Sequence, residues 1–299
     1  MDLRKNGVFL LLMADLFMAM VPITVRMATR LSCSPVQTTF FRFAFALTGI
    51  SLMVTLGWGK LRIVNGKALF WRGFFGGLSV LFYFLSVHFS TAAKGTLLNY
   101  TYSIWANIFA VVFLGQNPPK GYFFILLLAA AGVWLVLGVQ FGTFNWGDLI
   151  GVLSGATAGA AAVAIKEARR TDNSLSVFAS FSFLGFLLSG FLLLVGPWCL
   201  PSSVPLLGWN PVGGAGWTIL LAMGAISMLA QLLFTEGFGY VSLATGTLLS
   251  LLVPVGAAVL GLLVLGEPLT PHFVLGTGLV LTACGLFSWQ EGQGEKPRK

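Results

Sequence analysis

The sequence predicts an all-α polytopic membrane protein with ten transmembrane helices, arranged as two inverted five-helix repeats. Three observations predict it. First, only 9% of the 299 residues are charged and 57% are hydrophobic, with a mean hydropathy of +0.90. A soluble domain carries about 25% charged residues, so 17 Lys and Arg with 9 Asp and Glu are too few to solvate the surface of a 32.0 kDa globule. Disorder is excluded as well, because it needs low hydrophobicity and high charge. Second, the apolar residues form long unbroken runs, such as 123–139 and 274–287. A membrane β-barrel would alternate apolar and polar residues over segments of about 10. Third, short motifs recur at one fixed offset along the chain.

Each span needs about 20 mainly apolar residues. Gly, Pro and charge punctuate the chain into candidate spans at 7–28, 36–56, 69–89, 95–114, 121–140, 149–166, 175–197, 217–238, 243–265 and 272–289. The first begins just after Arg4 and Lys5 and reads as an uncleaved signal-anchor, because it exceeds a usual signal-peptide core. With the N-terminus inside, the inner segments carry Arg4, Lys5, Lys60, Arg62, Lys67, Arg72, Lys120, Lys166, Arg169, Arg170, Lys296, Arg298 and Lys299. The outer segments carry Arg26, Arg30 and Lys94. Cytoplasmic loops retain Lys and Arg, so the expected orientation is N-in and C-in, in a bacterial inner membrane. The same rule accounts for the net charge of +8 without invoking nucleic acid. Trp58, Trp71, Trp146, Trp198, Trp209, Trp217 and Trp289 fall near span ends, where aromatic belts form. Three cysteines make no disulfide framework; Cys33 and Cys199 fall in outer loops and their pairing is left open, and Cys284 is a small apolar filler.

The repeat is carried by two matches. Ala93-Lys94-Gly95-Thr96-Leu97-Leu98 resembles Ala244-Thr245-Gly246-Thr247-Leu248-Leu249, and Leu114-Gly115-Gln116 resembles Leu265-Gly266-Glu267, both at an offset of 151. A third, Val25–Arg30 with Ile165–Arg170, lies at an offset of 140. The expected division is residues 1–144, residues 145–291 and a cytoplasmic tail at 292–299. Five spans is an odd number, so the second half enters the membrane from the opposite side. That is the inverted repeat of many secondary transporters.

Those residues resemble the drug/metabolite transporter superfamily in its ten-span EamA-type branch. The resemblance covers nearly the whole chain and includes Pro254 in the ninth span, Leu265-Gly266-Glu267-Pro268 at its end, and Phe40-Phe41-Arg42-Phe43 in the second span. Two positions depart from the pattern: Gln116 stands where Glu is usual, and Ser103 where the first repeat usually has Pro. The resemblance implies a metabolite carrier with its cavity between the halves and its fifth and tenth spans peripheral.

Candidate site residues follow from cost. Ionisable groups within a bilayer are expensive and default to functional hypotheses. Asp15 and Arg42 lie inside the first two spans, and two arrangements stay open: a salt bridge between them, or separate satisfaction by helix ends and neighbouring backbone. Glu236 lies near the inner end of the eighth span. Lys94 and Glu267 lie at outer helix ends, where snorkelling is the simplest account. In the fourth span, Thr96, Asn99, Ser103 and Asn107 share one helical face, with Trp105 placed to stack on a solute. The third span adds Ser79, Tyr83, Ser86 and Ser90, and the eighth adds Ser227, Gln231 and Thr235. These stripes either line a hydrophilic path or bond helix to helix. Pro22 and Pro254 are hinge candidates. Gly151, Gly155 and Gly159 form a ridge for close packing.

The expected function is secondary transport, by export or exchange, of a small polar metabolite, with an amino acid or related zwitterion favoured because Asp15 and Glu236 nominally balance Arg42 and Lys94. Asp15 and Glu236 are the candidate proton carriers. No cofactor, metal cluster or catalytic motif is expected. The alternatives are a membrane-embedded enzyme acting on a lipid or isoprenoid, and a non-transporting assembly subunit.

Overall fold

The computed structural model describes residues 3–89, 92–115, 121–137, 145–199, 208–265 and 271–294, and these are helical apart from their connections. The helices are α1 (Leu3–Arg30), α2 (Pro35–Thr55), α3 (Gly66–Phe89), α4 (Ala92–Tyr100), α5 (Tyr102–Leu114), α6 (Tyr122–Leu137), α7 (Trp146–Ala168), α8 (Ser174–Cys199), α9 (Gly214–Gly237), α10 (Leu243–Leu249), α11 (Leu252–Leu265) and α12 (Pro271–Gly294). By length and apolar content, seven described helical stretches suffice to cross a membrane, and shorter apolar helices lie at Tyr122–Leu135, Leu243–Ala257 and Val274–Ala283. Hydrophobic residues are widely exposed on the outer surface, among them Phe124 and Leu194. Backbone groups facing lipid must be satisfied within the segment, and the helices meet that demand.

Two of the expected spans are broken. The fourth divides into α4 and α5 at Thr101, and the ninth into α10 and α11 at Ser250 and Leu251. Helix starts at 92 and 243, and helix ends at 114 and 265, are each separated by 151 residues, the same offset as the sequence matches. The second break has a local cause: Pro254 has no N–H and cannot follow on from an unbroken turn. At the first break Ser103 occupies the equivalent place. There the cause is tertiary. A Cβ at Gly155 of α7 would meet the Leu98 carbonyl oxygen at 2.6 Å, and a Cβ at Gly159 would meet the Trp105 Cβ at 2.6 Å. The glycine ridge thus seats the broken helix, and the Thr101 hydroxyl donates to the Leu98 carbonyl at 2.6 Å.

Helix contacts recur in matched pairs across the chain. α3 packs on α7 as α9 packs on α1; α3 packs on α8 as α9 packs on α2; α4 and α5 pack on α7 as α10 and α11 pack on α1. α6 packs chiefly on α12 and, less extensively, on α11. The approach of α3 to α8 is especially close: a Cβ at Gly77 would meet the Gly185 Cα at 2.8 Å.

The two ends of the bundle are closed by polar clamps. At one end, Asp172 accepts from the Val64 N–H at 2.6 Å, the Asn65 N–H at 3.0 Å and the Thr171 hydroxyl at 2.7 Å. Burial raises this carboxyl's pKa, but the hydrogen bonds from Thr171, Val64 and Asn65, with Arg62 nearby, outweigh it and hold the group below its usual value. Asn65 in turn accepts from the Ala68 N–H at 3.1 Å in the first turn of α3. At the other end, Ser34 and Gln37 form a capping box at the start of α2. Gln37 also donates to the Asn210 carbonyl at 2.9 Å, and Asn210 to the Ser32 carbonyl at 2.7 Å. Cys33 is buried beside this clamp as a free thiol.

Candidate transport cavity

A cavity of about 140 Å³ lies among α1, α2, α3, α4, α5, α7, α8 and α9. Ser250, between α10 and α11, also reaches it. Its polar and charged lining is Arg42, Arg72, Ser79, Tyr83, Asn99, Tyr100, Tyr102, Gln231 and Ser250. Drug-sized pockets run from roughly 300 Å³, so this volume suits a small solute or one end of a larger one.

Of the residues singled out from sequence, Pro22, Arg42, Ser79, Tyr83, Asn99 and Gln231 line the cavity. Pro22 sits inside α1, which continues on both sides of it. Having no N–H, it leaves the carbonyl of Met18 one turn earlier without its helical donor, and Met18 also lines the cavity. Asn99 donates to the Ser154 hydroxyl at 2.5 Å, and Ser154 donates to the Ser79 carbonyl at 3.0 Å, which ties α3, α4 and α7 together at the wall. The Tyr83 and Thr96 hydroxyls are hydrogen-bonded at 3.0 Å, with Thr96 just behind.

The rest of the fourth-span stripe does other work. Ser103 donates to the Thr247 carbonyl at 2.8 Å. The Asn107 amide reaches the Tyr122 hydroxyl at 2.8 Å and the Thr247 hydroxyl at 3.0 Å. These bonds fasten α5 to α10 and α6 outside the cavity. Trp105 packs against Gly159 and, with ring centroids 6.0 Å apart, against Phe109. Pro254 is buried in the first turn of α11. Ser86 donates to the Gly147 carbonyl at 2.8 Å. Ser90, Gln116 and Glu267 lie outside the described residues, as do the side chains of Lys94, Cys199 and Trp289.

Asp15 and Arg42 form no salt bridge. Asp15 is 4% exposed, and neither carboxylate oxygen has a hydrogen-bond partner. It is not among the cavity-lining residues, whereas Tyr100, Tyr102 and Ser250 are, and the Ser250 hydroxyl is committed to the Gly246 carbonyl at 3.0 Å. Glu236 is in the opposite condition. It pairs with Arg169 at 3.3 Å, accepts from the Tyr240 hydroxyl at 2.7 Å and accepts from Ser174. This joins the end of α7 to α8 and α9, away from the cavity lining.

The largest departure from the sequence reading is Arg72, whose position in the chain groups it with the cytoplasmic loop charges. It is 3% exposed and lines the cavity. Its guanidinium lies over the Phe181 ring, 4.1 Å from the centroid. Gly76, one turn further along α3, makes room for it: a Cβ there would collide with Arg72 Nη1 and meet Phe181 Cδ2 at 2.7 Å. Tyr100, Tyr102 and Ser250 are further lining residues that sequence reasoning missed.

A bundle of apolar helices around a polar internal cavity is the architecture a membrane transporter needs, and the comparisons give its class. The chain belongs to the EamA-like transporter family, whose profile matches twice, over residues 5–138 and 145–289. It is 24% identical over 247 residues to the pseudopaline exporter of Pseudomonas aeruginosa, covering 81% of each chain. It is also 24% identical over 219 residues to an uncharacterised transporter of Archaeoglobus fulgidus, covering 73% of this chain and 74% of that one. A solved crystal structure, 18% identical, superposes with a TM-score of 0.78 over 98% of this chain and 99% of the other, which shows a shared fold. The chain is thus a drug/metabolite transporter and not an enzyme.

Proposed function

We infer that the chain exports a small, carboxylate-bearing polar metabolite across a bacterial inner membrane by alternating access, with ten spans in two inverted halves of five. The observation that carries this is the cavity itself, whose wall is built from helices of both family-profile matches. The repeated helix breaks and the matched helix contacts support the inverted arrangement. Exchange of conformation between two equivalent halves opens the cavity to either face. The relative named for pseudopaline export supports the outward direction. An N-in, C-in orientation is supported by where charge lies: Asn173 bonds the loop bearing Lys60 to the end bearing Lys166, Arg169 and Arg170, and Gly7 of α1 packs at Tyr240 of the same end.

The zwitterion expected from sequence needs both signs in the cavity. The charged lining is Arg42 and Arg72, so a carboxylate has direct partners there, and Asp15 is not among the lining residues. Glu236 is committed to its clamp. We therefore assign proton exchange, where it accompanies transport, to Asp15. Purified protein in liposomes, tested with a panel of labelled amino acids and organic acids, checks the reading. Accumulation that depends on Asn99 and Arg42 is expected. If no solute moves under any imposed gradient, the transport reading fails.

A further inference from the structure

Arg42 of α2 and Arg72 of α3 line the same cavity. Each guanidinium carries five N–H donors and no acceptor. Among the described residues, neither has an ion-pair partner, and Nε of Arg72 is buried with no hydrogen bond. Because both line that cavity, their charges repel across it. The groups facing Arg42 are Tyr83, Tyr100 and, 6.0 Å from its carbon, the Phe84 ring. Those facing Arg72 are Arg42, Phe181 and Gly76. No carboxylate is among them.

Two like charges lining one cavity with no counter-charge are costly. The fold nevertheless makes room for them. Gly76 leaves space for Nη1 of Arg72, and Phe181 covers one guanidinium face, so the planar fork is held in place while its edge donors are left to the cavity. A guanidinium fork matches the geometry of carboxylate and phosphate oxygens.

We propose that Arg42 and Arg72 together bind a doubly charged oxyanion portion of the solute, either two carboxylates or one phosphate monoester. The inference rests on the transport reading only in taking the bound anion to be cargo. A neutral or singly zwitterionic solute leaves one guanidinium unpaired, so the pair selects for a second negative charge.

The test is thermal unfolding of the purified full-length protein with succinate, inorganic phosphate, alanine or acetate at matched ionic strength, for wild type, Arg42→Gln, Arg72→Gln and Arg72→Lys. Ligands that bind only the folded state raise its melting temperature. Succinate or phosphate is expected to bind at least tenfold more tightly than alanine or acetate, and the tighter of the two names the oxyanion. Each Gln variant should weaken that binding at least tenfold, and Arg72→Lys should fall between Gln and wild type. Each variant's melting curve without solute reports whether it folds, and Arg42→Gln tests the pair independently of the packed Arg72 site. The proposal is overturned if alanine binds as well as the dianions, if no dianion shifts the melting temperature, or if both folded Gln variants bind like wild type. Dianion binding without flux in liposomes would instead sink the transport reading and leave the anion site standing.

Discussion

Charged groups at the ends of the bundle and charged groups in its middle are treated in opposite ways. At one end Glu236 has Arg169, Ser174 and Tyr240, and Asp172 has three donors. In the middle Arg42, Arg72 and Asp15 have no ionic partner among the described residues. Glu236 is partly exposed and Asp172 is buried, and both are saturated. Arg72 and Asp15 are buried, where saturation matters most, and Arg42 is half-buried, yet none of them has an ionic partner among the described residues. Saturated charges hold helices together; in the proposed reading, the unpartnered ones are kept for what they bind. The difference separates structural from functional charge without reference to sequence position.

The largest effect expected from breaking this contrast is on Arg72. Arg72→Met should reduce flux by at least tenfold. It should also leave the solute-free protein as stable as wild type or more so. The cation–π contact with Phe181 contributes about 0.5–2 kcal/mol, whereas desolvating an unpaired ion costs several kcal/mol, so relief from the buried charge outweighs the lost contact. Flux in liposomes and the melting temperature without solute check the two parts.

Glu236→Leu should do the reverse. Removing hydrogen bonds to a charged, partly buried group costs about 1.5–3 kcal/mol, and it leaves Arg169 short of a partner. The melting temperature should fall while the preference among solutes stays unchanged, as measured by competition for uptake. Asn107→Leu should cost about 1 kcal/mol, since interhelical bonds in membranes average about 0.6 kcal/mol each and the amide makes two to other helices. Its melting temperature should drop with no change in solute binding.

The smallest effect concerns Asp172. Its folded pKa lies below the unfolded value, so its stabilising contribution is present above about pH 3.9 and is lost as pH falls through the folded value. Asp172→Asn should lower stability at neutral pH, and the gap from wild type should close on acidification. Melting curves taken from neutral pH down to below pH 4 measure it.

Much of the cavity was legible in the sequence because a polar residue in an apolar run stands out. Arg42, Asn99, Tyr83, Gln231 and Pro22 are visible that way. Arg72 was hidden by its neighbours: it follows Lys67 near the start of α3 and reads as one more flanking charge. Only the packing of α3 on α8, set by Gly73, Gly77 and Gly185, carries it inward. The break at Thr101 was hidden for a similar reason. It has neither Pro nor Gly of its own, and its cause lies in Gly155 and Gly159, more than fifty residues away. Ser103 and Asn107 share a helical face with Asn99, but the break and the partners Tyr122 and Thr247 divide that stripe between wall and fastening. Periodicity shows which residues share a face; it does not show what the face meets.

Functional and structural charge are told apart most sharply by the melting temperature of solute-free Arg72→Met, read beside its flux in liposomes. A bare charge kept for binding predicts an unchanged or higher melting temperature with flux reduced at least tenfold. A melting temperature lower by several degrees with flux retained would make Arg72 a structural residue, and the contrast between the ends and the middle of the bundle would not hold.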